Sequence, residues 1–293
     1  MLLTKDFLAR LEQLEIVSRR LRRGRFRGER RSVRRGASVE FADHRPYGIG
    51  DDLRFLDWSL YARLQILVTK LFHDEEDLSV HLVLDRSASM DFGDPTKALH
   101  AKRVLAALGH VSLLGQNRVS FWSPGTAETG GDVELRDLRS PRSSQRLFEA
   151  IERAAVGGAA GLDEPFRRWI GTRRPRGLVI VASDLLHKDG SWEHLRPLVR
   201  GGLEAHVVRV LSPGEVAPTI EGDLRLLDSE DGTGVDVSVS PKLLQLYQEA
   251  RADYDRRLDQ FCRGRGITLV PTTTAEPFEA LVLEVLRARG LLA

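Results

Sequence analysis

Residues 79–90, SVHLVLDRSASM, contain the pattern that decides the fold. The apolar run SVHLVL ends in Asp85, and a polar loop follows it. A short apolar run of this kind is typical of a strand buried in a parallel sheet. Residues 177–184, GLVIVASD, repeat the arrangement in the most hydrophobic run of the chain, which ends in Asp184. The sequence therefore predicts two buried strands, each of which ends in an aspartate.

Predicted strands and helices alternate outward from these two runs, over residues 78–290. Residues 118–123, RVSFWS, predict another strand, and the apolar residues of 98–111 have the spacing of three and four that is typical of a helix. This alternation predicts an α/β fold with a doubly wound, mostly parallel, Rossmann-like sheet and helices on both faces. Residues 224–240 interrupt it with a predicted β-hairpin insertion. We expect the α/β domain to span residues 78–293.

Residues 1–77 are predicted to form a separate N-terminal part. An amphipathic helix is predicted over 4–22, and the aromatic residues of 38–77 are dense enough to indicate a packed segment that docks on the α/β domain. The arginine-rich arm, residues 19–35, contains ten arginines and one acid, Glu29. The whole chain has a net charge of +2, so its basic charge is concentrated in this arm and the remainder is mildly acidic.

The arginine-rich arm has three interpretations. It is a solvated arm, a docking strip for an acidic partner, or a site that binds the nucleic-acid backbone, for which clustered arginines are the expected footprint. Only Phe26 lies among the arginines, whereas stacking on bases uses several aromatic rings. Nucleic-acid binding is therefore the alternative hypothesis and not the first one.

Cysteine content and hydropathy indicate the compartment. Cys262 is the only cysteine, so an internal disulfide is impossible and a reducing compartment is favoured. The first residues carry charges such as Lys5 and Asp6, and the chain contains no uncharged run of signal-peptide or transmembrane length. We expect a cytoplasmic, monomeric protein that does not insert into a membrane.

Several enzyme classes are disfavoured because residues that they need are missing. Phosphotransfer of the haloacid-dehalogenase type needs a second aspartate two residues after Asp85, and Ser87 stands there. The chain also has no GxSxG elbow, no phosphate-binding loop of the GxxxxGK type and no HExxH zinc motif. We therefore expect a non-enzymatic function.

Polar residues at the two strand ends form the candidate site. In a doubly wound sheet, ligands bind beyond the carboxyl ends of the strands. The four side chains that are predicted to converge there are Asp85, Ser87, Ser89 and Asp184. Carboxylate and hydroxyl oxygens are the ligands that Mg²⁺ and Mn²⁺ prefer, so the sequence predicts a divalent metal site. The alternative is that Asp85 caps the next helix and the serines form a turn.

The DRSAS segment, residues 85–89, resembles the metal-ion-dependent adhesion site of von Willebrand factor A-type domains. The resemblance implies a sheet of that type, metal coordination by the four converging side chains, and a partner protein whose carboxylate completes the coordination. That family has a threonine ligand where this chain has alanines within residues 157–161, GGAAG. We therefore expect a weakened affinity for Mg²⁺ or Mn²⁺.

Residues 36–63, GASVEFADHRPYGIGDDLRFLDWSLYAR, are similar to the bacterial family named domain of unknown function fifty-eight. The matching positions are Arg45, Tyr47, Gly50, Asp51, Asp52, Arg54, Asp57, Trp58, Ala62 and Arg63. Genes of that family typically lie beside those of MoxR-type AAA+ ATPases. The resemblance implies a partner or adaptor of such an ATPase. Together with the candidate site, it implies a non-enzymatic, divalent-metal-dependent protein-binding module.

Residues 43–63 interleave aspartates with arginines. Charges that are buried or half-buried must be paired, so we expect ion pairs within this segment. We also expect Trp58 and Tyr61 to pack against the α/β domain, because a solvated segment has little use for so many rings.

Overall fold

The computed structural model describes residues 2–18, 41–72, 78–126, 129–157, 162–173, 175–186, 192–200, 202–230 and 232–293. The arginine-rich arm and residues 158–161 of the predicted metal-site loop lie outside the described residues. The chain forms two compact units, one of residues 1–23 with 78–293 and one of residues 24–77. In chain order, the helices and strands are α1 (Lys5–Leu11), β1 (Phe41–Pro46), α2 (Trp58–Leu64), β2 (Val68–Phe72), β3 (Ser79–Leu84), α3 (Lys97–Leu114), β4 (Arg118–Ser123), β5 (Val133–Leu138), α4 (Ser144–Arg153), α5 (Asp163–Arg173), β6 (Leu178–Ser183), α6 (Arg196–Arg200), β7 (Glu204–Leu211), α7 (Pro213–Val216), β8 (Gly222–Leu227), β9 (Gly234–Val239), α8 (Pro241–Arg263), β10 (Thr268–Thr273), α9 (Phe278–Ala280) and α10 (Leu286–Ala288).

The larger unit is built on a six-stranded sheet with the strand order β10-β7-β6-β3-β4-β5. All neighbouring strands are parallel except β4 and β5. Val80 of β3 lies opposite Leu178 of β6, which confirms that the two aspartate-ending runs are neighbouring parallel strands. The chain leaves β3 in one direction for β4 and β5 and then returns to β6 on the other side. Such reversals of strand order create the crevices in which doubly wound sheets bind ligands.

Both faces of this sheet are covered by helices, as the alternation predicted. Successive residues of β6 enter opposite cores: Ile180 belongs to the core that contains α3, and Val181 to the core that contains α5 and α8. Each of these two side chains is 0% exposed. Full burial of an apolar side chain of this size contributes about 1.5–3 kcal/mol, so the sheet is stabilised from both sides.

One helix end differs from its prediction. α1 ends at Leu11, so the helix predicted over 4–22 is wrong for residues 12–18, which instead pair with the C-terminal segment through a bridge between Ile16 and Leu292. Residues 19–22 of that prediction lie outside the described residues. α3 is capped by Thr96, whose hydroxyl accepts a hydrogen bond from Leu99 N at 3.2 Å. The predicted hairpin is confirmed, since β8 and β9 pair in antiparallel register.

The smaller unit contains the antiparallel pair β1–β2 and the helix α2. Asp57 caps α2, because its Oδ1 accepts hydrogen bonds from Ser59 N and Leu60 N, each at 3.0 Å. Its Oδ2 forms a hydrogen bond with His44 Nε2 at 2.9 Å, and Lys70 Nζ lies 3.5 Å away. The hydrogen bond with His44 is the main cause that lowers the pKa of Asp57 to about 2.

The ion pairs predicted within residues 43–63 are present, and the packing of Trp58 and Tyr61 against the α/β domain stays a prediction. Arg45 Nη2 lies 2.5 Å from Asp51 Oδ1, and Arg54 pairs with Asp52. Trp58 is 58% exposed, and its ring meets the ring of Tyr61 edge-on at 6.3 Å between centroids. The charges of this unit are therefore paired near the surface, and Trp58 contributes little to a core.

Candidate functional site

The predicted site lies at the carboxyl ends of β3 and β6, where the strand order reverses. Asp85 directly follows β3 and Asp184 directly follows β6. Asp85 N donates a hydrogen bond to Ala182 O at 3.0 Å, which ties the two strand ends together. Both aspartates are buried, at 3% and 1% exposure. The structure therefore brings together the two carboxylates that the sequence predicted to converge, in a place where an unpaired charge is costly.

Asp85 is held by donors from its own loop and from β6. Ser183 Oγ donates to Asp85 Oδ2 at 2.6 Å, and Ser87 N donates to Asp85 Oδ1 at 2.9 Å. The hydroxyls of Ser87 and Ser89 form a hydrogen bond with each other at 3.0 Å. Burial, followed by the charge of Asp184, raises the pKa of Asp85 to about 6. The DxSxS loop is thus a turn that satisfies its own polar groups, and the ionised form of its aspartate is disfavoured.

A lysine that the sequence analysis missed lies at the same place. Lys97 is the first residue of α3, and its side chain is 0% exposed. Its Nζ donates to Asp184 Oδ2 at 2.7 Å and to Glu215 Oε1 at 2.5 Å. The second oxygen of each carboxylate also accepts a hydrogen bond, from Leu186 N at 3.0 Å and from Ser212 N at 2.7 Å. A buried ammonium therefore connects the end of β6 with α7, the short helix that follows β7.

Two sequence signals could have pointed to these residues. Lys97 is placed four and seven residues before Ala101 and Val104 of α3, both of which are 0% exposed. A lysine on a core-facing position needs an acidic partner. Ser212 and Glu215 form the S-x-x-E pattern of a capping box after an apolar strand, and both hydrogen bonds of that box are present. Only the fold shows that these two signals concern one site.

A second buried cation supports the strand end from the side of β7. Arg209 is 3% exposed, and its Nε donates to Asp184 O at 3.2 Å. Its Nη1 donates to Asp255 Oδ1 of α8 at 2.5 Å, and its guanidinium lies 5.5 Å from the ring centroid of Tyr254. The backbone that carries Asp184 is therefore held by α8 as well as by the sheet.

A divalent ion needs oxygen ligands that face it, at about 2.0–2.1 Å for Mg²⁺. Both oxygens of Asp85 and both of Asp184 already accept hydrogen bonds, and the ammonium of Lys97 contacts Asp184 Oδ2. Among the described residues, no three His, Cys, Asp or Glu side chains are grouped so that they could hold a metal ion. The arrangement does not fit Mg²⁺ or Mn²⁺, and metal binding by the four predicted side chains stays a prediction.

The fold and the site define a class of protein, which has a mostly parallel α/β sheet and buried charges where the strand order reverses. The chain belongs to the family described as Protein of unknown function DUF58, whose model matches residues 43–257. This is the family that the motif in residues 36–63 resembles. In the part of the chain that the structure describes, no helix combines the length and hydrophobicity needed to cross a membrane.

Curated relatives match this chain over nearly its whole length. It is 28% identical to the uncharacterized protein Rv1480 of Mycobacterium tuberculosis and to the uncharacterized protein Mb1516 of Mycobacterium bovis, over 97% of this chain and 91% of each relative. Among solved structures, it is similar to the conserved hypothetical protein BatB from Bacteroides thetaiotaomicron, with 16% identity, a TM-score of 0.41 and coverage of 72% of this chain and 98% of that chain. An aerotolerance-related membrane protein from Bacteroides fragilis matches with 17% identity, a TM-score of 0.39 and coverage of 72% and 99%.

Proposed function

We propose that this chain is a non-enzymatic protein-binding module that acts as a partner or adaptor of a MoxR-type AAA+ ATPase. The family motif in residues 36–63 supports the choice of partner. One observation carries the binding role, which is the concentration of exposed apolar side chains in residues 220–247, the hairpin–helix segment. They are Ile220, Leu226, Leu227, Val235, Leu243, Leu246 and Tyr247, with exposures from 36% to 66%. Exposed apolar side chains that share one face and form a patch are typical of protein interaction sites.

The hairpin β8–β9 presents one part of this segment. Leu226 lies directly opposite Val235, and the two side chains are 47% and 63% exposed. Directly opposite side chains on an antiparallel pair are close neighbours on one face. Asp223 and Asp236 are exposed on the other face of the hairpin, where Asp223 lies opposite Ser238 and Asp236 lies opposite Arg225. A partner surface with an apolar centre would complement the face that carries Leu226 and Val235.

The first turns of α8 present the other part of the hairpin–helix segment. Leu243, Leu246 and Tyr247 are spaced three and four residues apart, so they lie on one face of the helix. Tyr247 Oη donates to Glu215 O at 2.6 Å, and Glu215 is the residue of α7 that binds the ammonium of Lys97. A partner on this helix face would therefore lie next to the buried strand-end site.

Binding to the MoxR-type ATPase of the same genome tests the proposal. Leu246→Asp and Gln248→Asp place the same charge at two exposed positions of α8, and only the first removes an apolar side chain. We expect Leu246→Asp to weaken ATPase binding at least about tenfold, as at an interface hot spot, while Gln248→Asp stays close to the wild type. Isothermal titration calorimetry measures both affinities. Equal affinities of the two variants would count against the hairpin–helix segment as the contact surface.

The sequence also predicted that Mg²⁺ or Mn²⁺ mediates the contact with the partner. Because the side chains at the strand ends do not fit such an ion, the proposal assigns the contact to the hairpin–helix segment. We therefore expect EDTA to leave the affinity for the ATPase unchanged in the same assay. An affinity that falls when EDTA is added would favour the metal-dependent hypothesis.

Nucleic-acid binding through the arginine-rich arm is the second candidate, and the ten arginines of residues 19–35 support it. Its signature is an affinity that falls steeply with salt, because each phosphate contact releases counterions. Fluorescence anisotropy with a DNA duplex and with an RNA strand at low and moderate salt measures this slope. A shallow slope or no binding would count against nucleic-acid binding, and the protein-binding role would be the remaining candidate.

A further inference from the structure

We propose that Lys97 supplies the cation of the strand-end site, so that an ammonium of the chain takes the place of a divalent metal ion between Asp184 and Glu215. The inference concerns the chain alone and does not depend on the identity of its partner. It rests on the burial of the lysine, on the number of hydrogen bonds that each carboxylate oxygen accepts, and on the elements that the ammonium connects.

Because Lys97 is buried, carboxylates must take the place of the water that would otherwise solvate its ammonium. The side chain of Lys97 is 0% exposed, and those of Asp184 and Glu215 are 2% and 19% exposed. Transfer of an unpaired ammonium into such a place is strongly unfavourable. Two of its three N–H donors reach carboxylate oxygens, at 2.7 and 2.5 Å. The two carboxylates therefore make a buried lysine tolerable here, and the lysine makes the buried carboxylates tolerable.

The ammonium and a metal ion would compete for the same oxygen. A Mg²⁺ bound to Asp184 Oδ2 would lie about 2.1 Å from it, while Lys97 Nζ lies 2.7 Å from the same atom. Two cations on one buried carboxylate oxygen repel each other strongly, since little water screens them. The neighbouring Asp85 is satisfied without metal, by Ser183 Oγ and Ser87 N. The site therefore has room for one cation at Asp184, and Lys97 is that cation.

The ammonium also has a structural consequence, because it connects three elements that are distant in the chain. Lys97 begins α3, Asp184 follows β6, and Glu215 lies in α7. The sequence separations of the two contacts are 87 and 118 residues. We infer that the ammonium holds these elements together permanently, whereas a metal ion would do so only when bound.

The first experiment uses the wild-type chain. Electron paramagnetic resonance measures Mn²⁺ binding, and calorimetry measures the melting temperature with millimolar Mg²⁺, Mn²⁺ or EDTA. We expect the melting temperature to change by less than about 1 °C among these conditions, because a ligand stabilises only a fold that binds it. A Mn²⁺ site with one ion per chain that disappears in Asp184→Asn would overturn the inference.

The second experiment removes the ammonium. Lys97→Met keeps most of the side-chain volume without the charge, and Lys102→Met is the matched control, since Lys102 lies on the same helix and its Nζ donates to Glu152 O at 3.3 Å. We expect Lys97→Met to lower the melting temperature by about 10 °C, as for a broken buried ion pair. Millimolar Mn²⁺ should restore about half of that loss, because the freed carboxylates can then share a metal ion. Lys102→Met should show no response to Mn²⁺.

The double variant Lys97→Met/Asp184→Asn keeps the test decisive if Lys97→Met does not fold. It removes a charge of each sign, so we expect it to fold, to melt above Lys97→Met and to ignore Mn²⁺. The inference is overturned if Lys97→Met melts like the wild type or shows no response to Mn²⁺. It is also overturned if the double variant is no more stable than Lys97→Met.

Discussion

Asp57 of the smaller unit and Asp85 of the larger unit occupy the same kind of turn, but their pKa values are shifted in opposite directions. Each carboxylate accepts a hydrogen bond from the backbone N–H two residues later, at 3.0 and 2.9 Å. The pKa of Asp57 is lowered to about 2, mainly by its hydrogen bond with His44. The pKa of Asp85 is raised to about 6, by burial and then by the charge of Asp184. The comparison teaches that the surroundings, and not the turn, decide which form of the aspartate is favoured.

The two units also differ in where they place cations. In the smaller unit, the side chains of Arg54 and Asp52 pair while 66% and 40% exposed. In the larger unit, those of Lys97 and Asp184 pair while 0% and 2% exposed. Water and salt weaken an exposed pair, whereas the loss of one partner of a buried pair leaves an uncompensated charge. Equivalent substitutions in the two units should therefore have unequal effects.

The removal of one aspartate from each pair should give the largest contrast. Asp184→Ala removes the buried carboxylate that accepts hydrogen bonds from Lys97 Nζ and from Leu186 N, so we expect a loss of about 3–5 kcal/mol in the free energy of unfolding. Asp52→Ala should cost less than about 1 kcal/mol. Urea denaturation monitored by circular dichroism measures both losses. Equal losses would break the comparison between buried and exposed pairs.

The raised pKa of Asp85 should make stability depend on pH above about 4. Its folded pKa, about 6, exceeds the ordinary aspartate value of 3.8, so its favourable contribution is complete below about pH 4 and is lost as the pH rises through 6. Asp85→Asn removes the charge, and we expect its stability relative to the wild type to increase over this range by on the order of 2 kcal/mol. Urea denaturation at pH 4 and pH 7 measures the difference. A difference that does not change with pH would show that Asp85 titrates normally.

Asp57 should show the opposite dependence at more acidic pH. Its folded pKa, about 2, lies below the ordinary aspartate value of 3.8, so its contribution is present above about pH 4 and is lost as the pH falls from 4 to 2. We expect Asp57→Asn to destabilise the smaller unit at pH 7 and to make its stability less sensitive to acid. Amide signals of α2 in NMR spectra, recorded along a pH titration, report this unit. An acid sensitivity equal to that of the wild type would contradict the role of Asp57.

The smallest effect should come from Trp58. Its exposure of 58% means that Trp58→Ala removes little buried surface, and we expect a change of less than about 1 kcal/mol. Trp122 provides the contrast, because it is 5% exposed and stacks on Trp169 at 5.5 Å, so Trp122→Ala should cost about 3–5 kcal/mol. Thermal unfolding measures both. A loss of several kcal/mol for Trp58→Ala would show that its ring is buried, as the aromatic density of residues 38–77 predicted.

Local sequence patterns predicted most of the strands and helices of the larger unit. The predictions failed where a segment pairs with a distant part of the chain. The apolar runs of β3 and β6 predicted neighbouring parallel strands, because a run of that length and composition has few other stable environments. The predicted helix over 4–22 continued too far, although its apolar spacing persists to Val17. Val17 N instead donates to Leu291 O at 2.9 Å, so pairing with a distant segment replaces a further helical turn.

The candidate site also contains residues that the sequence predicted and residues that only the fold brings together. Asp85 and Asp184 could be placed together from the sequence, since both follow buried strands whose carboxyl ends share one edge of the sheet. Lys97 and Glu215 could not, because a lysine at the start of a helix and a glutamate in a capping box each have an ordinary local explanation. No local pattern indicates that the first is buried against the second across 118 residues.

By itself, the sequence determined the parallel α/β architecture, the hairpin and the edge of the sheet at which two aspartates meet. These features follow from the period of apolar residues and from the chemistry of turns, which act over a few residues. Only the tertiary structure decided which cation stands at that edge and in which direction the pKa of Asp85 moves. Burial and charge–charge interactions depend on atoms that the fold brings within a few ångströms, however far apart they lie in the chain.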